Sequence, residues 1–200
     1  SNPIYTTLEN GTVTVAATEE GYAAITKYMT ELMKLAKGRV KYVEVTNEFH
    51  SSSMVPVFNT RADVHANLLK AAYKGVKTGD PNVKIVAIDE DRWGMYQTGM
   101  IPKYFEEING EKCFDYVSLH PYPSDYGSFE SSGAIEFVND VRASMEEHNQ
   151  DPKTPMMFTE LGWADSVLSW DDEKKAAYTV RSQAYAQAEG IAELIHNYNL

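Results

Sequence analysis

Val40-Lys41-Tyr42-Val43-Glu44-Val45-Thr46-Asn47-Glu48 is the stretch from which the fold can be read. Four of its first six residues are β-branched or aromatic, which suits a pleated strand, and the run ends in a short polar segment. Upstream, the spacing predicts a helix. Thr18 can cap it, and Glu19 and Glu20 stand in the first turn, where the helix dipole favours negative charge. Tyr22, Ile25, Met29, Leu32 and Met33 recur at helical spacing, and Gly38 is the stop. Downstream, a second helix is expected from about Arg61 to Lys77, opened by the capping-box-like pair Thr60 and Asp63. Val64, Leu68, Ala71 and Ala72 form its apolar face, and Gly79-Asp80-Pro81 closes it.

The alternation then repeats. Strands are expected at Val83–Ile88, Phe114–Leu119, Met156–Leu161 and Ile191–Tyr198. Helices are expected near Thr98–Ile108, Phe129–His148 and Asp172–Glu189. Strand–helix alternation of this kind means βα units and a parallel sheet. Two architectures offer such a sheet, a doubly wound open sheet and a (β/α)8 barrel. No Gly-rich phosphate fingerprint follows any strand, which argues against the nucleotide-binding form of the first. The polar residues of interest stand at C-terminal strand ends, where barrel enzymes keep their chemistry. Five strands in 200 residues fall short of a full barrel of roughly 250 residues. The expected fold class is therefore α/β: parallel βα units of an incomplete (β/α)8 TIM barrel, with strands four to eight visible and strands one to three missing. No composition shift or Pro/Gly/Ser-rich linker marks a second domain, so residues 1–200 are expected to form one barrel domain, the C-terminal part of a longer one. Its open sheet edges would then be covered by self-association, by the first 17 residues folding back, or by the missing N-terminal strands.

Composition narrows the function. The chain is 43% apolar and 24% charged, with a net charge of −11, which disfavours a phosphate backbone as partner. No nucleic acid is expected. The longest apolar runs are strand-sized, so no membrane span is expected. One cysteine excludes an internal disulfide and any multi-cysteine metal site. Neither a metal nor a cofactor is expected. Aromatic residues make up 12% of the chain, including thirteen tyrosines and three tryptophans, which suits a sugar ligand and equally suits a packed core.

Glu48 and Glu160 each lie at or just past the end of a predicted strand, as does His120-Pro121-Tyr122. Parallel strands bring such ends to a common rim, where two carboxylates could face each other. Hydrolysis of a glycosidic bond needs such a pair, one protonated to donate to the leaving oxygen and one ionised to attack the anomeric carbon. Taken singly, each residue has an ordinary reading: a solvated glutamate, a turn-forming Asn47, a structural His120. Their order, at intervals of whole βα units, is what points to chemistry.

Three segments carry a family resemblance: Tyr42-Val43-Glu44-Val45-Thr46-Asn47-Glu48, Ser118-Leu119-His120-Pro121-Tyr122 and Phe158-Thr159-Glu160-Leu161-Gly162-Trp163. They resemble the later strands of a clan-A retaining glycoside hydrolase, with Asn-Glu after strand four and Glu at strand seven. Asn2-Pro3-Ile4-Tyr5, Lys37-Gly38-Arg39-Val40 and Tyr198-Asn199-Leu200 are similar to family 39 and its relatives. The resemblance implies Glu48 as acid/base and Glu160 as nucleophile. It implies Asn47, His120, Tyr122 and Trp163 as substrate-binding residues, Asn47 at the sugar 2-hydroxyl, His120 and Tyr122 near the nucleophile and Trp163 lining the cleft. A carbohydrate partner and an extracellular or cell-surface location go with it. Phe49-His50 departs from the family, which usually has proline after the acid/base, and the clan's strand-eight tryptophan is not evident.

The alternative is a non-catalytic carbohydrate-binding or surface protein that keeps the fold, although a pure binder has no need of both carboxylates. Trp93 and Trp170 are expected in rim loops, as sugar platforms or anchors. His65 and His148 are expected at helix surfaces, Asp89-Glu90-Asp91 as solvated charge, and Cys113 buried and inert.

Overall fold

The computed structural model describes residues 5–7, 9, 11, 13–50, 61–123, 127–131, 133–163 and 171–198. Strands β1 (Tyr5–Thr7) and β2 (Val13–Val15) pair antiparallel with each other as a separate two-stranded sheet. Among the described residues they do not pair with the edges of the main sheet. Helix α1 (Glu19–Ala36) follows, with the Thr18 hydroxyl accepting from the Gly21 N–H at 3.1 Å. It ends through Lys37 and Gly38, both at positive φ.

Strand β3 (Tyr42–Glu44) leads through residues 45–61 to α2 (Ala62–Gly79). Thr60 lies outside the described residues, and Arg61 at the cap makes no side-chain cap bond. Its guanidinium instead pairs with Asp63. Strand β4 (Lys84–Asp91) is followed by two helices, α3 (Arg92–Tyr96) and α4 (Met100–Ile108), separated at Gly99 with φ of 61°. Strand β5 (Tyr116–His120) precedes a short 3₁₀ turn (Phe129–Ser131) and α5 (Ala134–Glu147), which are separated by Gly133. Strand β6 (Met156–Leu161), helix α6 (Asp172–Ala188) and strand β7 (Leu194–Asn197) complete the order. The expected helix Phe129–His148 is thus split at Gly133, which apolar periodicity misses: a left-handed glycine can interrupt a helix without disturbing its buried stripe.

The main sheet has the order β3-β4-β5-β6-β7, parallel throughout. Neighbours in space are neighbours in sequence, with none of the order reversal of a doubly wound sheet. These are five successive strands of a (β/α)8 barrel, an incomplete one. The covering helices pack in the same sequence, α1 on α2, α2 on α4 and α4 on α5. Gly75 and Gly79 let α2 approach α1 closely, because a Cβ at either position would fall within 2.5 Å of the Thr26 or Thr30 carbonyl oxygen. Thr26 and Thr30 tie the same seam by donating to the carbonyls of Ala71 and Gly75.

The core lies between the middle strands and the helices. Ile85, Ala87, Val117, Leu119, Met156 and Phe158 from the sheet meet Leu69, Val76, Ile101, Phe105, Phe137 and Val141. Each large aliphatic or aromatic side chain buried this way contributes about 1.5–3 kcal/mol. The edges differ: Tyr42 on β3 and Leu194 on β7 are exposed, and Cys113 is buried in the core. Among the described residues, no helix is long and apolar enough to cross a membrane.

Candidate active site

The site is assembled at the C-terminal ends of β3 to β6. Near the end of β4 the backbone departs from regular geometry: Ile88 and Asp89 have φ of 96° and 54°, and the pairing with β5 shifts between Ile88 and Glu90. Positive φ at a β-branched residue costs on the order of 1–3 kcal/mol and persists only where surroundings enforce it. Both Asp89 and Glu90 at this bulge are buried, like the four residues before them on this central strand. The acidic run is therefore not solvated charge.

These two residues anchor the segment after β3. Asp89 Oδ2 accepts from the Thr46 N–H at 3.0 Å and the Thr46 hydroxyl at 2.6 Å. Its other oxygen bonds the Ser118 hydroxyl, which also accepts the Asp89 N–H at 3.0 Å. Burial, reinforced by the neighbouring Glu44 carboxylate, pushes the Asp89 carboxyl well up. The Thr46 oxygen also meets His65 Nε2 at 2.9 Å. His65 is not a surface residue: it is buried and stacked between Phe49 and Tyr104, with ring centroids 4.3 and 4.2 Å away. Burial lowers its pKa to about 3, so near neutral pH the ring is uncharged.

Glu48 follows at φ 41°, a left-handed backbone, with its N–H donating to the Asp89 carbonyl at 2.7 Å. Phe49 is buried. The His50 N–H donates to Glu90 Oε1 at 3.1 Å, and His50 Nδ1 is hydrogen-bonded to Glu90 Oε2. Burial alone would lower the His50 pKa, but Glu90, with Asp91 and Glu48, more than offsets it and the pKa lies above the ordinary value.

The two sequence-predicted carboxylates meet at His120. His120 Nδ1 lies 3.0 Å from Glu48 Oε1 and 3.8 Å from Glu160 Oε2, and its Nε2 lies 3.1 Å from the Thr159 hydroxyl. The Tyr122 hydroxyl donates to Glu160 Oε2 at 2.8 Å. His120 is completely buried, whereas the Glu48 and Glu160 side chains are 25% and 23% exposed, open enough to meet a ligand. Burial opposes charge on His120, but the flanking Glu48 and Glu160 raise its pKa. Burial and the Glu160 carboxylate push the Tyr122 phenol far up, so it stays a proton donor.

One donor atom each from Glu48, His120 and Glu160 lie within 4.8 Å of one another, and the same holds for His50, Glu90 and Asp91. Either set could in principle hold a cation. In each, the histidine is hydrogen-bonded to a carboxylate of the set.

Glu48, Glu160, His120 and Tyr122 are thus brought together. Asn47 is exposed beside them. Trp163 does not offer an open face: it is 3% exposed, donates its indole N–H to the Gly127 carbonyl at 3.2 Å, and packs edge-on against Tyr178. Its large ring and its N–H are both satisfied within the rim, so it anchors the loop there. Trp93 on α3 is 58% exposed, and Trp170 lies outside the described residues. His148 is half-buried at the end of α5. Thr46, Thr159, Asp89, His50 and Glu90 joined the site without a sequence signal, apart from the Phe49-His50 departure from the family pattern.

The five-stranded parallel sheet with its covering helices is similar in fold to part of the barrels of solved glycoside hydrolases. No family model and no curated relative matches the sequence, but solved structures match the fold. A glucosidase from Croceicoccus marinus is 14% identical with a TM-score of 0.73, over 89% of this chain and 38% of that one. A family 39 glycoside hydrolase from Xanthomonas axonopodis pv. citri is 16% identical with a TM-score of 0.67, over 90% and 38%. A family 44 xyloglucanase from Paenibacillus polymyxa is 12% identical with a TM-score of 0.62, over 86% and 46%. The chain spans less than half the length of each.

Proposed function

We propose that this domain works as a retaining glycoside hydrolase on a β-linked oligosaccharide or polysaccharide. The observation that carries the reading is the placing of the Glu48 and Glu160 oxygens within 4.8 Å of one another at the ends of parallel strands. Retaining enzymes hold their carboxyl groups about 5–5.5 Å apart, whereas inverting enzymes need about 6.5–9.5 Å to admit a water.

In the first step Glu160 Oε attacks the anomeric carbon, the glycosidic C–O bond breaks, and Glu48 gives its proton to the departing oxygen. In the second, water attacks the same carbon, Glu48 takes the water's proton, and the ester bond to Glu160 breaks. The Tyr122 hydroxyl favours the ionised form of Glu160 by donating to it. His120 holds Glu48 at hydrogen-bonding distance while lying close to Glu160, so it orients the pair. Asn47 is placed to meet a sugar hydroxyl beside Glu48.

The domain acts within a complete barrel outside the cell or at its surface. The exposed edges β3 and β7 are paired there by the remaining strands or by a second copy. Glu160→Gln tests the reading in the full-length protein on a panel of β-glycans and aryl β-glycosides. Loss of turnover with retained ligand binding supports it. Turnover unaffected by the substitution refutes it, and sugar binding without any turnover by the unmodified protein favours the non-catalytic alternative.

A further inference from the structure

We propose that Glu90, acting through His50, is a positioning residue for the Glu48 acid/base. The inference rests on the proposed role of Glu48 and adds a residue pair with no direct contact to the reacting atoms.

Thr46 to His50 is tied at three places to two consecutive residues of the β4 bulge. Thr46 is bound to the Asp89 carboxyl, the Glu48 N–H to the Asp89 carbonyl, and His50 by both its N–H and its ring to the two Glu90 oxygens. Between the outer ties Glu48 adopts φ 41°, a conformation that a residue with a side chain holds only when the surroundings over-determine it. Phe49 fixes one side of the turn by burial, and His50–Glu90 fixes the other.

The pair is also costly as mere filling. The His50 and Glu90 side chains are 4% and 1% exposed, and a buried ionisable pair is often matched or bettered in stability by apolar residues of similar volume. The space behind Glu90 is shaped for it: a Cβ at Gly94 would come within 2.8 Å of Glu90 Oε2. What the pair supplies is a fixed direction for the turn, and a displacement of about 1 Å in a reacting group can cost ~100-fold in rate.

A misplaced acid/base has a signature that general damage lacks. Glycosides with poor leaving groups need the proton from Glu48, whereas dinitrophenyl glycosides do not. Glu90→Leu and His50→Leu keep volume but remove the bond; Glu90→Gln and His50→Asn keep a hydrogen-bonding atom at the same place. All four are to be compared in the full-length protein, using dinitrophenyl and methyl β-xylosides or β-glucosides, whichever it hydrolyses. Active sites are counted by titration with the matching 2-fluoroglycoside. Each leucine variant is expected to lose about 100-fold in kcat/KM on the methyl glycoside and under threefold on the dinitrophenyl glycoside, while each conservative variant recovers at least tenfold on the methyl glycoside. Azide should accelerate turnover of the leucine variants on the dinitrophenyl substrate. Should Glu90→Leu not fold, the His50 pair decides alone. Equal loss on both substrates, or no loss on either, overturns the positioning role. Glu48→Ala and Glu160→Gln serve as controls: if either retains full activity, the reading of the site itself falls, which is a separate result.

Discussion

The two halves of the site are built in opposite ways. Glu160 lies within a strand, β6, near core residues Phe158 and Leu161, and its carboxylate accepts from the Tyr122 hydroxyl just past the end of β5 and lies close to His120. Glu48 stands four residues beyond β3, on a left-handed turn, and is fixed by bonds from a bulge more than forty residues away in sequence. One carboxylate is placed by regular secondary structure, the other by irregular backbone that the tertiary structure enforces. The difference suits the two roles proposed. A nucleophile must stay at one distance from one carbon, whereas an acid/base serves first the leaving oxygen and then a water.

The largest expected effect falls on the strand-borne side. Glu160→Gln should lower turnover on the order of 10⁴-fold on every substrate, since the glycosyl ester proposed for Glu160 could no longer form. Steady-state kinetics with aryl glycosides checks this, and a loss confined to poor leaving groups would exchange the two roles. Next comes Glu48→Ala. It should cost about 10²–10⁴-fold on unactivated substrates but leave the first step on dinitrophenyl glycosides nearly intact, with azide restoring the second. Rescue of Glu160 variants by azide instead would break the comparison. A third expectation concerns Tyr122→Phe. A hydrogen bond to a charged group contributes about 1.5–3 kcal/mol, so kcat should fall roughly 10- to 150-fold, with little dependence on leaving group.

How much of this was legible in the sequence follows from the same contrast. Met156–Leu161 was readable to the residue because a short buried apolar run has one natural structure, and Glu160 came with it. Glu48, His120 and Tyr122 were also legible, as polar residues at the ends of such runs. The bulge at Ile88–Asp89 was not. Val83–Ile88 reads as an ordinary strand, and Asp89-Glu90-Asp91 as a solvated cap, because nothing local signals that β4 continues to Asp91 with two carboxyls turned inward. His65 was misplaced for a related reason: on α2 it looks like any helical histidine, and only the tertiary structure brings Phe49 and Tyr104 to either side of it. Trp163 reads as a cleft-lining aromatic, and its buried, hydrogen-bonded state was not legible because it depends on Gly127 and Tyr178, which lie elsewhere in the sequence.

The smallest expected effect sharpens the loop side. His65 is folded with a pKa of about 3, below the ordinary 6.5, so the unfolded chain binds its proton first. Its contribution to stability is therefore fully present above pH 6.5 and declines as pH falls from there towards 3, by at most about 1.4 kcal/mol per pH unit. Urea unfolding between pH 7 and 4 should show a shallower decline for His65→Gln than for the unmodified protein. Equal slopes would mean that His65 protonates without opening the Thr46–Glu48 turn.

The division of labour between Glu160 and Glu48 is tested most directly by the configuration of the first product. Proton NMR during the opening minutes of hydrolysis of a β-glycoside by the full-length protein should show the β-anomer accumulating first, with the α-anomer arising later by mutarotation. The α-anomer appearing first would contradict double displacement by this closely spaced pair.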